Sequence, residues 1–143
     1  MTPFVFKDKL YRVESIDKFT PVMNTGIKEK DTYAVIRDLE NGNIISKLGQ
    51  GCYFFDAFVD NDTAYVIGTE NSKETYWLGG DTLIIFESAD LINWKSRILI
   101  QKEGWLFFNH GLTKNENEST KWITTSTSSQ ACSANPAHPL SRA

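Results

Sequence analysis

Apolar and polar residues alternate in short runs along this chain, each run closed by a turn-forming cluster, and no segment carries the three-to-four-residue spacing of an amphipathic helix. The pattern predicts an all-β protein. Thr2–Phe6 and Lys9–Ser15 flank a polar Lys7-Asp8 pair and read as a tight hairpin, followed by a strand over Tyr33–Ile36. Asn41-Gly42 then turns the chain into Ile44–Lys47. After Gly49-Gln50-Gly51 the order restarts: Tyr53–Val59, a turn at Asp60-Asn61-Asp62, and Thr63–Thr69. The stretch from Tyr76 to Trp94 holds a Gly79-Gly80-Asp81 turn signal, the apolar strand Leu83–Phe86, and a closing hairpin anchored by Leu91 and Trp94. Ser96–Gln101 completes the second set of four.

Recurrence is the most informative property of this pattern. An apolar arm, polar turn and aromatic return occur at Phe6–Tyr11, again at Val59–Tyr65, and more loosely from Phe108 to Trp122, a period of roughly 50 residues. Asp38-Leu39 and Asp90-Leu91 echo each other at a similar offset. Four antiparallel strands per repeat predict a partial β-propeller of about two blades plus the start of a third, with a meandering β-sandwich as the alternative.

Composition narrows the function classes. The chain has 143 residues, of which 41% are hydrophobic and 13% aromatic, enough for a domain with a real core. A formal net charge of −3 and the absence of any Lys/Arg stripe argue against nucleic acid as a partner. No apolar run approaches the roughly 18 residues of a membrane span, and Met1 is not followed by a basic and then apolar leader. No membrane partner and a cytoplasmic location are therefore expected, with secretion of a longer parent left open. Two cysteines, Cys52 and Cys132, and two histidines, His110 and His138, give neither a disulfide framework nor a zinc ligand set, so no metal or cofactor is expected. Gly49-Gln50-Gly51 lacks the Lys-Ser/Thr of a phosphate loop.

The segments FVFKDKLYRVES, FFDAFVDNDTAYVIGTEN, WLGGDTLIIFESADLINW and GWLFFNHGLTKNE together resemble the five-bladed β-propeller glycoside hydrolases of the family 43 type. The Ser88-x-Asp90-Leu91-x-x-Trp94 hairpin recurs across propeller glycosidases, which ties it to fold more than to substrate. The resemblance runs from about Thr2 to about Lys114 and implies a carbohydrate substrate and hydrolysis of glycosidic bonds. It also implies that Asp56, acidic within the apolar run Phe54-Phe55-Asp56-Ala57-Phe58, is a cavity carboxylate. A hydrogen-bonding role for Asp56 at the strand start is the alternative. Glycosidases need two carboxyl groups. The equivalent place in the third repeat is Asn109, an amide that cannot donate a proton as an acid, and His110 departs from the small polar residue expected there. Asn109, His110 and Trp77 are expected to contact sugar, His110 having a hydrogen-bonded structural role as its alternative. Trp105 and Phe107 are further aromatics at predicted loop and inner-strand positions, whose flat rings suit the apolar face of a sugar, with packing favoured for Phe107, while Glu14 and Glu70 read as solvated or structural and Asp81 as a turn residue.

Residues 1–125 are thus expected to form an incomplete propeller domain, and residues 126–143, rich in Ser, Thr, Ala and Pro, a disordered tail. A truncated or frameshifted reading frame would explain the missing repeats, with an authentic polar tail as the alternative. The chain alone is expected to lack hydrolytic activity and to self-associate through exposed blade edges. A non-catalytic fragment that binds glycans or protein is the second reading.

Overall fold

The computed structural model describes residues 1–17, 32–70, 80–103, 105, 107, 111–114 and 122–124. Among these residues there are ten strands and no helix. β1 (Thr2–Phe6) and β2 (Lys9–Asp17) are joined through Lys7 and Asp8, whose φ values of 48° and 63° are both left-handed. Asn61 and Asp62, at 45° and 58°, make the same connection between β5 (Cys52–Asp60) and β6 (Thr63–Glu70). Two consecutive left-handed residues give the twist that antiparallel partners require. Lysine gains nothing from that conformation itself. Its ammonium donates to the Ala89 carbonyl at 2.9 Å and lies 5.0 Å from the centre of the Phe6 ring.

β3 (Thr32–Asp38), β4 (Ile44–Leu48), β7 (Thr82–Ser88) and β8 (Lys95–Gln101) complete two antiparallel sheets, ordered β1-β2-β3-β4 and β5-β6-β7-β8. A third, two-stranded sheet pairs β9 (Leu112–Lys114) with β10 (Trp122–Thr124). The β3–β4 turn forms because the Asp38 carboxylate accepts from Glu40 N at 2.8 Å and Asn41 Nδ2 at 3.0 Å, while Gly42 takes φ 77°. All eight strands expected in the first two repeats are present. Trp77, Asn109, His110 and the 126–143 tail lie outside the described residues.

The register makes the two sheets equivalent rung by rung. Phe4↔Tyr11 in the first matches Phe58↔Tyr65 in the second, and Thr2↔Val13↔Ile36 matches Asp56↔Ile67↔Ile85. We call the face carrying these rungs the front of each sheet. The front of the first sheet, with Phe4, Phe6, Val13, Ala34, Ile36 and Leu48, packs on the back of the second, with Cys52, Phe55, Ala64, Val66 and Phe86. The stacking is front on back. Ile67, Leu83 and Ile85, on the front of the second sheet, are also at most 2% exposed, so that sheet is covered on both faces. The apolar run Leu83–Phe86, without alternation, reflects this double burial.

Two local features depart from the expected pattern. On β5 the pairing jumps from Tyr53↔Thr69 to Asp56↔Ile67, so Phe54 and Phe55 face the single residue Gly68 in a bulge, with Phe54 at φ 54°. The extra residue keeps Phe55 in the core and sends Asp56 to the front. Gly80, expected as a turn glycine, instead bridges Phe107, whose N–H donates to the Gly80 carbonyl at 2.7 Å. Close approach dictates glycine there: a Cβ would overlap the Glu70 carbonyl oxygen.

Candidate functional site

β5 is the first strand of its sheet and lies against β1, β2 and β3 of the other sheet and against β9. Its front carries Tyr53, Asp56, Phe58 and Asp60, facing Thr69, Ile67, Tyr65 and Thr63 on β6. Asp56 is half-buried beside fully buried Ile67, on the strand that the bulge re-aims. Bulges recur where a strand must turn one side chain toward a site. Of the four residues singled out from the sequence, Asp56 is the one the described structure places.

Glu14 and Asp81 have visible structural duties. Glu14 is buried on the back of the first sheet, where its carboxylate accepts from Arg37 Nε at 2.8 Å, from Arg37 Nη2 at 3.1 Å, and from Arg12 Nε. The hydrogen bonds from Arg37 come first in holding its pKa below the usual carboxylate range, against the opposing effect of desolvation. Asp81 accepts from Thr82 Oγ1 at 2.8 Å, and its carbonyl receives Lys102 N at 2.9 Å. Glu70 is exposed at the end of β6. Phe107 is buried, as expected for packing, and Trp105 carries the Lys102 ammonium 3.6 Å from its ring centre. A cation thus already occupies one face of that indole.

The Ser88–Trp94 hairpin is a closed hydrogen-bond network. Ser88 Oγ accepts from Leu91 N at 2.9 Å and donates to Asp90 Oδ1, which also accepts from Ile92 N at 2.9 Å and Asn93 N at 2.8 Å. Asn93 Nδ2 donates to Asp90 Oδ2 at 2.8 Å. Leu91, at φ 63°, is driven into the core between the sheets, and Trp94 Nε1 reaches across to Ser46 Oγ on β4 at 3.0 Å. The motif clamps one sheet to the next. Its bonds, those from Asn93 foremost, hold the Asp90 carboxyl far below the ordinary carboxylate range. A depressed folded-state pKa stabilises the hairpin fully above about pH 4, and the contribution fades as pH falls through the folded value. We predict that Asp90→Asn lowers Tm at pH 7 and that its deficit shrinks steadily below pH 4; a deficit independent of pH would contradict this.

A cleft of about 330 Å³ opens beside the hairpin, lined by Thr63, Glu87, Ser88, Ala89, Asp90, Asn93 and Lys95. Asp56 is not among these residues. No protein-family model matches the chain, and no curated protein matches it significantly. The resemblance to propeller glycosidases rests on the quoted segments alone.

Other chemistry finds little footing. Burial, with a further contribution from the charge of Glu70, pushes the Cys52 thiol up to about 12, so it stays protonated and unreactive at neutral pH. Among the described residues no group of His, Cys, Asp and Glu is arranged to hold a metal ion, and no helix is long and apolar enough to cross a membrane. Sequence reasoning missed the Glu14 cluster, although Arg12-x-Glu14 alternation places both residues on one strand face; it also missed Glu87 and Lys95, which become neighbours only through β7–β8 pairing.

Proposed function

We propose that this chain belongs to a propeller-type glycoside hydrolase-like protein in which Asp56 is a carboxylate of the sugar site. The observation that carries the reading is the front-on-back stacking. A two-layer sandwich buries one inner face of each sheet, whereas serially stacked equivalent sheets suit a radial array of blades. In such an array the first strand of each blade lines the hollow, and β5 would present Asp56 there. A half-buried carboxylate between the aromatic side chains of Tyr53 and Phe58 suits sugar hydroxyls together with the apolar face of the ring.

Hydrolysis needs a second carboxyl group roughly 5–9.5 Å from the first. Glu87 lies on the same front face, but it sits two strands and one rung away, which puts the two Cα atoms roughly 12 Å apart. Asn109 supplies an amide. Binding without turnover is therefore the expected behaviour of this chain, and the neutral Asn109 also favours a non-catalytic glycan-binding role. Titration with pentose and hexose oligosaccharides, followed by calorimetry and aryl-glycoside assays, tests both. We expect saturable binding that weakens about tenfold in Asp56→Asn, the loss typical of one charged hydrogen-bonding partner. Failure of every oligosaccharide to bind, or binding indifferent to Asp56→Asn, would remove Asp56 from the site.

A further inference from the structure

Phe54 stands where the backbone favours glycine. Its φ of 54° falls within the β5 bulge, a left-handed conformation in which a Cβ crowds the carbonyl and glycine is the usual occupant. The other described side chains with left-handed φ serve the fold. Lys7, Asp8, Asn61 and Asp62 turn hairpins, and Leu91 fills the core between the sheets. Phe54 does neither, since it lies outside the core cluster and is 37% exposed. Glycine at this position would still let the bulge send Phe55 inward and Asp56 to the front, so the fold alone does not require an aromatic ring there. Strain retained in this way gathers at ligand sites.

The ring also lies close to the candidate carboxylate. Tyr53 and Asp56 face Thr69 and Ile67, which are two positions apart on β6, so they are consecutive on the front of the sheet. The Phe54 ring meets that of Tyr53, with centres 6.4 Å apart and planes tilted by 47°. β5 ends its sheet, and among the described residues no strand pairs with its other edge. We infer that Phe54 is a sugar-positioning residue, its exposed ring packing on the C–H face of the saccharide whose hydroxyls bond to Asp56. A carboxylate reads hydroxyls alone, whereas carboxylate and ring together select a ligand that is polar at its rim and apolar on its face. The inference rests on the sugar reading of Asp56 and extends it from one charge to ring recognition.

Calorimetric titration with pentose and hexose oligosaccharides tests it on three variants, with circular dichroism melts in parallel. Phe54→Leu keeps an apolar side chain without the flat ring, and Phe54→Gly removes the ring while suiting the left-handed φ, which covers the case in which leucine disturbs the bulge. Each should weaken binding roughly three- to tenfold, the loss expected for one aromatic contact. Phe54→Tyr restores the ring and should bind within about twofold of the parent. A purely structural role would move Tm and leave the affinity of the folded protein unchanged. Parental affinity in either folded ring-less variant, while Asp56→Asn still weakens binding, would overturn this inference and leave the Asp56 reading standing. Weakening in Phe54→Tyr equal to that in Phe54→Leu would also overturn it, because the ring would then not be the element recognised. Absence of binding by the parent chain itself would remove both.

Discussion

Replacing Gly80 with alanine is expected to destabilise the domain by about 3 kcal/mol and to lower Tm by roughly 10 °C, as forced overpacking does when the obstacle is backbone. The added methyl would collide with the Glu70 carbonyl oxygen at the end of β6 and press on the Thr69 side chain. The backbone oxygen cannot rotate away. Relief would require parting the chain at the Gly80–Phe107 bridge, which also unseats buried Phe107. Gly42→Ala is the matched control, because Gly42 has a left-handed φ of 77° but nothing within 4 Å of its would-be Cβ. It should lose only about 1 kcal/mol from the backbone conformation. Equal losses at the two positions in urea denaturation would show that steric approach does not explain Gly80.

Truncating Phe55 to alanine carries the second large effect, about 3–5 kcal/mol. Its ring lies across two glycines: a Cβ on Gly49 would come within 2.5 Å of it, and one on Gly68 within 2.7 Å. The three residues form one fitted unit, with the bulge supplying the ring and the glycines the space. Gly68→Ala alone should therefore destabilise, whereas in the Phe55→Ala background the same substitution should be nearly neutral. A double-mutant cycle should return a coupling of about 1–3 kcal/mol. Additive losses would mean that the ring does not depend on the missing side chain at Gly68.

These two positions also mark the boundary of what the chain discloses before folding. Strands and hairpins were legible because local chemistry states them: Lys7-Asp8 and Asn61-Asp62 between apolar arms, Asn41-Gly42 after β3, and Ser88 with Asp90 after β7. The repeat was legible for the same reason, since Phe–Tyr and Val/Ile rungs return at equivalent offsets. The bulge was not. Phe54-Phe55-Asp56-Ala57-Phe58 is compatible with unbroken pairing, and only the fit of Phe55 over Gly68 and Gly49 shows that Phe54 is supernumerary. Gly80 was recognised as special for the wrong reason, because a glycine that serves a turn and one that serves a close approach look alike in sequence.

The candidate site was legible to the extent of one carboxylate. Asp56 drew attention as an acid in an apolar strand, and the described structure places it on the front face of a first strand, half-buried. Its sequence-proposed companions Trp77, Asn109 and His110 lie outside the described residues, whereas Trp105 was judged on flatness alone, without the Lys102 ammonium that covers it.

The sequential strand order has a bearing on how the molecule could be watched assembling. Within each sheet every strand pairs with its immediate predecessor, so the ladders close over short spans of chain, and only the union of one sheet with the other spans the longer distance. The indole of Trp94 straddles that union through Ser46, 48 positions earlier. With Trp77, Trp105 and Trp122 replaced by phenylalanine, its fluorescence would serve as an optical gauge of the moment when the two meanders become one body.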